Sequence, residues 1–505
     1  MGSLFPFALS LLVAIPIVGG LAILVAARRP LHAKYAALGV TLAELALGLA
    51  IAYDFVANGF FAAGLWQFAY LESGTWIPTL GISYQLGMDG LSFAMVLLSV
   101  IVFPPAVLFA FSEKEGLHKF FGLLLAMEGA IIGVFLAQDF FLFYIFWEAV
   151  LIPMFFLIHG WGGSNRRYAA MKFFIYTHVA SVVMFIGFLV LYFEYAAATG
   201  TYTFDMIAIG QFAPGFTAGA QSFAFILVFF GFAVKMPSFP FHTWLPDAHV
   251  QAPTAGSVIL AALLLKMGGY GLIRVGVAML PEGAAAWVPL MAALGVASMV
   301  YGAFVCLRAD DLKRMIAISS VSHMGFVMLG IATLTDIGIA AAIFQMFAHG
   351  LISAMLFMMA GAIGHNVGTR NISELGGIGK KVPRIGAFTI FAFLASLGLP
   401  FLVGFAAELL VFLSAGAAFG WWVALPIVTV LLTAAYYLWA VQRALAGPLR
   451  PEFEGKEIHD LQPFEVTALG SLAALVVLFG CLPFLLVSYI MPYSSLLAGI
   501  MGVGP

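Results

Sequence analysis

The chain has 505 residues, 63% of them hydrophobic and only 9% charged. Soluble domains carry about 25% charged residues, so this composition excludes a water-soluble fold and describes an integral membrane protein. The net charge of −2 says nothing about nucleic acid, and no basic run suggests it as a partner. Two cysteines, Cys306 and Cys481, both in apolar segments, exclude a disulfide framework or a cysteine-built metal site.

A membrane span needs about 20 mostly apolar residues. That rule predicts an all-α protein of about fourteen transmembrane helices, numbered here as spans 1–14. They fall at 4–27, 33–53, 88–111, 120–137, 140–160, 170–195, 222–245, 254–280, 284–307, 312–334, 338–364, 385–415, 420–446 and 464–490. Span 1 has no basic region before it and no clear small-residue cleavage site, so it reads as a retained helix and not a signal peptide. Segment 54–87, rich in glycine and aromatics, reads as a long loop in which WQFAY and ISYQL can pair as short strands. Segment 196–221 reads as a second long loop.

Lysine and arginine orient the spans. Of 21 such residues, Lys235 and Lys266 lie inside apolar runs and only Arg274, near the end of span 8, falls on the other side. The other 18 follow odd-numbered spans. Both termini are therefore expected outside the cytoplasm.

The ionisable groups at mid-depth come next. Glu128 sits in span 4 and Glu148 in span 5, with Pro153 behind it. Lys235 stands midway along span 7 and is followed at once by Pro237 and Pro240; Lys266 stands midway along span 8. A bare charge at that depth costs ~2.5–3.5 kcal/mol on insertion scales, so each is by default a candidate functional site, with Glu128 reading as either a pathway member or a structural hydrogen-bonding acid. Proline removes an amide donor and frees a carbonyl one turn back, so span 7 is expected to break beside its lysine. Broken backbone at membrane depth persists only where protein or a water-filled cavity surrounds it. Glu148 needs a cation or a proton-relay role, and Lys235 is the cation expected to pair with it. His242 flanks the same break, and Asp247 and His249 begin the expected loop beyond. Glu44 in span 2 reads more as a structural hydrogen-bonding acid.

His323 in span 10 and His349 in span 11 have hydroxyl or amide neighbours at mid-depth: Ser319, Ser320 and Ser322 for the first, Gln345 and Ser353 for the second. Histidine titrates near neutrality and its two nitrogens suit proton hand-over. No third ligand at useful spacing suggests a metal. Span 12 is interrupted by Gly398 and Pro400, with Glu408 two turns later. Paired broken helices point to inverted-repeat transporters. Spans 4–8 and 9–13 make two five-helix repeats, inverted because five is odd. The chain then divides into 1–119, 120–280, 284–447 and 448–505. Glu148, Lys235, Lys266, His323, His349 and Glu408 are expected to form one row in the membrane plane.

The strings FWEAVLIPMFFLIHGWGG, KMPSFPFHTWLPDAHVQAPTAGSVILAALLLKMGGYGLIR, DLKRMIAISSVSHMGF and FQMFAHGLISAMLFMMAG resemble the antiporter-like subunits of respiratory complex I. Glu408, where sister subunits L and N typically carry lysine, makes the resemblance one to subunit M, the bacterial counterpart of mitochondrial chain 4. The resemblance implies a proton-translocating subunit of NADH:quinone oxidoreductase in a bacterial inner membrane. It implies Glu148 as essential acid, Lys235 as the span-7 lysine, Lys266 as connecting lysine, His323 and His349 as central histidines and Glu408 as terminal acid. It also implies L-type and N-type subunits and lipid as neighbours. No iron–sulfur, haem, dinucleotide or phosphate-loop signature is present, so NADH, FMN, iron–sulfur clusters and quinone are expected in partner subunits and no redox centre in this chain. A multisubunit cation/proton antiporter is the alternative. Two departures from the family pattern stand out: Phe401 and Leu402 after Pro400, and His178 where an amide is common.

Overall fold

The computed structural model describes residues 7–26 and 30–502. Arg28 and Arg29, both counted in the charge distribution, lie outside the described residues, as do the first residues and the last residue expected in span 1. Among the described residues, thirteen helical stretches are long and apolar enough to cross a bilayer. One of them, Val403–Ala444, joins the second half of span 12 to span 13 through a short turn at Gly420–Val423, which brings the count to fourteen.

Spans 8 (Thr254–Val277) and 10 (Leu312–Ala332) are wholly enclosed, and span 11 (Asp336–Val367) almost so. Enclosure on every side is what lets them carry charged and hydroxyl side chains that lipid would not accept. These three helices are the axis on which the interior groups are mounted. Spans 1 (Ala8–Ala26) and 2 (Pro30–Ala57) lie at the periphery.

Span 7 is helical from Ala218 to Lys235, turns irregularly, and resumes as a short helix over Trp244–Gln251. Asp247 and His249 therefore stand on a helix and not in the expected loop. The break satisfies its backbone groups from nearby: the Trp244 indole donates to the Val234 carbonyl at 3.1 Å, and the Phe239 amide donates to Ser298 Oγ at 2.9 Å. Span 12 breaks likewise, between Pro383–Ser396 and Val403–Phe419. Gly398 in that break has φ +80°, and a Cβ on it would stand 3.0 Å from Glu408 Oε2. Only glycine takes that backbone without cost and leaves the carboxylate its space.

Three expectations shift. Span 14 is two helices, Pro463–Cys481 and Phe484–Ile500, because Pro483 has no amide to continue the ladder. Both halves pack on spans 3 (Gly90–Phe109) and 11. In the first long loop a hairpin forms between β1 (Ala69–Ile77) and β2 (Ile82–Met88), antiparallel, with Thr75 opposite Ser83. ISYQL lies in β2, but the first strand begins at Ala69 and leaves Trp66 out, since its indole packs against Gly210. The second long loop contains a helix, Met206–Phe212, capped by Asp205. Both ends of the described chain lie on the hairpin face. The Leu9 and Ser10 amides donate to Glu72 at 2.7 and 3.1 Å, and Tyr489 and Tyr493 lie against Gly90.

Candidate functional site

Span 8 is widened on both sides of Lys266, into π-type turns at Leu260–Leu264 and Leu272–Val277. Such turns displace a carbonyl from the ladder and recur at functional sites. The Lys266 ammonium donates to the Ala261 carbonyl, five residues back, at 2.5 Å. It also meets His349 Nδ1 at 2.6 Å. The His349 ring lies 5.4 Å, centroid to centroid, from that of His323. His323 Nδ1 stands 3.3 Å from Glu408 Oε1, and its Nε2 is 3.1 Å from Ser396 Oγ. Lys266, His349, His323 and Glu408 thus make one continuous line through spans 8, 11, 10 and 12. Beside it is a cavity of about 10 Å³ lined by His323, Gln345, His349, Ser396, Gly404 and Glu408. That volume holds roughly one water. Gln345 lines it with an unpartnered Oε1.

Span 5 (Phe140–Trp161) is built differently. Glu148 Oε2 meets His178 Nδ1 at 2.7 Å, and Oε1 accepts from Ser181 Oγ. His178 and Ser181 are three residues apart on span 6 (Arg166–Thr199) and so share a face. Lys235 was expected as the partner of Glu148, but the two are not within ion-pair distance. Its ammonium has no hydrogen-bond partner and lies 5.4 Å above the Trp147 ring and 6.0 Å from Phe173. The reason is helical geometry. Neighbouring residues on an α-helix point about 100° apart, so when Trp147 faces Lys235, Glu148 faces span 6. The aromatic faces hold the ammonium by their quadrupoles. The Glu148 and His178 side chains are 21% and 44% exposed.

Two expected members stand apart. His242 is buried against the Phe239 and Tyr301 rings, with Nδ1 unpartnered. Glu128 in span 4 (Leu117–Leu136) and Glu44 in span 2 are wholly buried, and none of their four carboxyl oxygens has a partner. His178, Ser181 and Ser396 were not in the expected row, because nothing local in the sequence says which face of span 6 or 12 meets an acid. His249 was not in it either. It is fully buried against Phe357, with both ring nitrogens unpartnered, and the charges acting on it are Lys313 and Lys266. Phe401 points outward at 75% exposure, away from the cavity beside Glu408. Among the described residues no group of three or more His, Cys, Asp or Glu side chains is placed to hold a metal ion.

A family profile described as NADH:quinone oxidoreductase/Mrp antiporter, TM matches residues 137–433. The chain belongs to this family. The matched stretch contains every member of the row, from Glu148 to Glu408, and excludes Glu44 and Glu128. Among its family relatives, the chain is 44% identical over 481 residues to the F(420)H(2) dehydrogenase subunit M of Methanosarcina mazei, covering 94% of both chains. It is 40% identical over 431 residues to the NADH-quinone oxidoreductase subunit M of Rhodobacter capsulatus, covering 84% of this chain and 83% of that one. Among solved structures it superposes on a chain of respiratory complex I from Thermus thermophilus with bound NADH. The TM-score is 0.88 at 29% identity, over 98% of this chain and all of the other. A chain of the Mrp complex from Dietzia sp. shares the fold at 22% identity and TM-score 0.83.

Proposed function

We propose that this chain is the M-type proton-translocating subunit of a membrane-bound quinone-reducing dehydrogenase of the complex I kind. The observation that carries the reading is the contact line Lys266–His349–His323–Glu408, four titratable groups in an enclosed interior, with room for about one water beside the two histidines and Glu408. Its redox cofactors (NADH, FMN, iron–sulfur clusters and quinone) belong to partner subunits. Spans 4–8 and 9–13 act as inverted repeats, each opened at its broken helix.

Charge movement in a neighbouring subunit acts on Glu148. Lys235, held only by aromatic faces, then exchanges its proton with the line that starts at Lys266. L-type and N-type subunits flank the chain in the cytoplasmic membrane, with the lysine- and arginine-rich face inward. Partial exposure of Glu148 and His178 at mid-depth supports a neighbour there, because a carboxylate facing lipid is costly.

The 44% relative named for F(420)H(2) makes the electron donor a second question, so the test uses two donors. The purified assembly is placed in proteoliposomes with a quinone and supplied with NADH or with reduced F420. Donor-driven proton uptake that disappears in Lys235→Ala supports the proposal, and the active donor names the input arm. Cation/proton exchange under an imposed gradient, with neither donor active, would place the chain in an antiporter instead.

A further inference from the structure

Arg274 is wholly buried on span 8, eight residues beyond Lys266 toward the hairpin face. At 1.5 Å per residue that is about 12 Å. Its two terminal nitrogens donate to Asp89 at 2.6 Å each, one of them also to Ser92 Oγ at 3.2 Å, and Nε donates to Tyr270 OH at 3.4 Å. The rings of Phe68, Tyr270 and Tyr493 surround the guanidinium at 5.2–5.5 Å. Between it and Lys266 lies Tyr270, whose hydroxyl meets Ser92 Oγ at 3.2 Å and the Phe135 carbonyl at 3.0 Å.

We propose that Arg274, held by Asp89, is a proton barrier that closes the hairpin face of the molecule above Lys266, so that protons reaching Lys266 leave only through His349, His323 and Glu408. The proposal rests on the proton-translocating reading. Hydroxyls both donate and accept, so Tyr270 and Ser92 can pass a proton outward from the region of Lys266. A guanidinium only donates and stays charged, so the chain of hand-overs stops there. Asp89 caps the start of span 3 at the hairpin face, and one guanidinium nitrogen also reaches Ser92 one turn further in. Fixed arginine charge excludes protons in other membrane pores by the same repulsion.

The test is the decay of an imposed pH gradient in proteoliposomes of the full assembly, with no electron donor present. Arg274→Gln with Asp89→Asn leaves no unpaired charge, keeps a helix cap and puts amides that both donate and accept at the barrier. The expected result is a several-fold faster decay, reversed when Tyr270→Phe is added. Arg274→Lys, still a donor-only cation, should stay tight.

Arg274→His is the second route, because it keeps a possible partner for Asp89. Asp89 on span 3, Tyr270 on its own helix and Tyr493 on the last helix are the groups that face it. A neutral imidazole hands protons on, so this variant should leak more as pH rises. Assembled variants as tight as wild type at every pH would overturn the barrier, and would show a purely structural tie. If Lys235→Ala pumps normally, the translocation reading fails whatever the leak shows. If Lys235→Ala stops pumping while the Arg274 variants stay tight, only the barrier fails.

Discussion

Spans 5–7 and spans 8–12 carry the same kinds of side chain in opposite states of contact. In the second region lysine, two histidines and glutamate stand in sequence at contact distance, enclosed by the three most buried helices. In the first, acid and lysine are separated: Glu148 is bound to His178 and Ser181, while Lys235 is stacked on rings with no hydrogen-bond partner. A row already in contact conducts whenever it is supplied. A gap that must close to conduct is where an outside signal can act, and the first region has both the gap and the partly exposed edge. On the proposed reading, control belongs with spans 5–7 and conduction with spans 8–12.

The sharpest way to break this comparison is Glu148→Gln. The amide keeps the shape and the bonds from span 6 but never carries charge. Proton uptake and coupled turnover should fall to background, with the subunit still present in the assembly on a native gel. Normal pumping would remove the control role. A step smaller is His178→Ala, which frees Glu148 from its holder while leaving the acid in place. Loss of a hydrogen bond to a charged group is worth about 1.5–3 kcal/mol. Turnover should therefore shift by roughly ten- to a hundredfold, and its pH profile should move, read as quinone reduction against pH. A merely structural His178 would lower the amount of assembly and leave the profile alone.

Ser396→Ala asks the matching question of the conducting half. It removes the hydroxyl that orients His323 and ties it to Tyr437 at 2.9 Å. A neutral hydrogen bond contributes about 1 kcal/mol, roughly fivefold in an equilibrium constant. The pumping rate should fall by no more than that, with proton stoichiometry unchanged.

The smallest effect lies at the edge of the first region, away from its acid and lysine. Asp139 caps span 5 and accepts the Ser83 amide from β2 at 2.9 Å. Burial raises its carboxyl to about 6, against the lowering effect of the amides that donate to it. A folded value above the unfolded ~3.9 means the native state holds the proton more tightly. Its contribution to stability is therefore full below about pH 4 and is lost as pH rises through 6. Asp139→Asn, neutral and still a cap, should melt a degree or two higher than wild type at pH 7, roughly what ~1 kcal/mol gives in a large chain. Near pH 4 the two should coincide.

Much of this architecture was readable from the chain alone. Bilayer thickness sets the length of a span, and a missing proline amide acts within one turn. The fourteen spans and the breaks after Lys235 and Ser396 are therefore local properties. So is the presence of Lys266, His323, His349 and Glu408 at mid-depth, since a charge in the middle of an apolar run announces itself. Which groups touch was decided by packing. The choice of His178 over Lys235 for Glu148 turns on a 100° rotation at Trp147, and the bonds from Arg274 to Asp89 and from His323 to Ser396 join residues 185 and 73 positions apart. The start of β1 at Ala69 likewise depended on what lay alongside, whereas the split of span 14 at Pro483 is a local property of the same kind as the other proline breaks. Helical period and hydropathy specify that a side chain faces inward, but its partner is set by which helix lies against that face, at a rotation and depth that only the packed bundle determines.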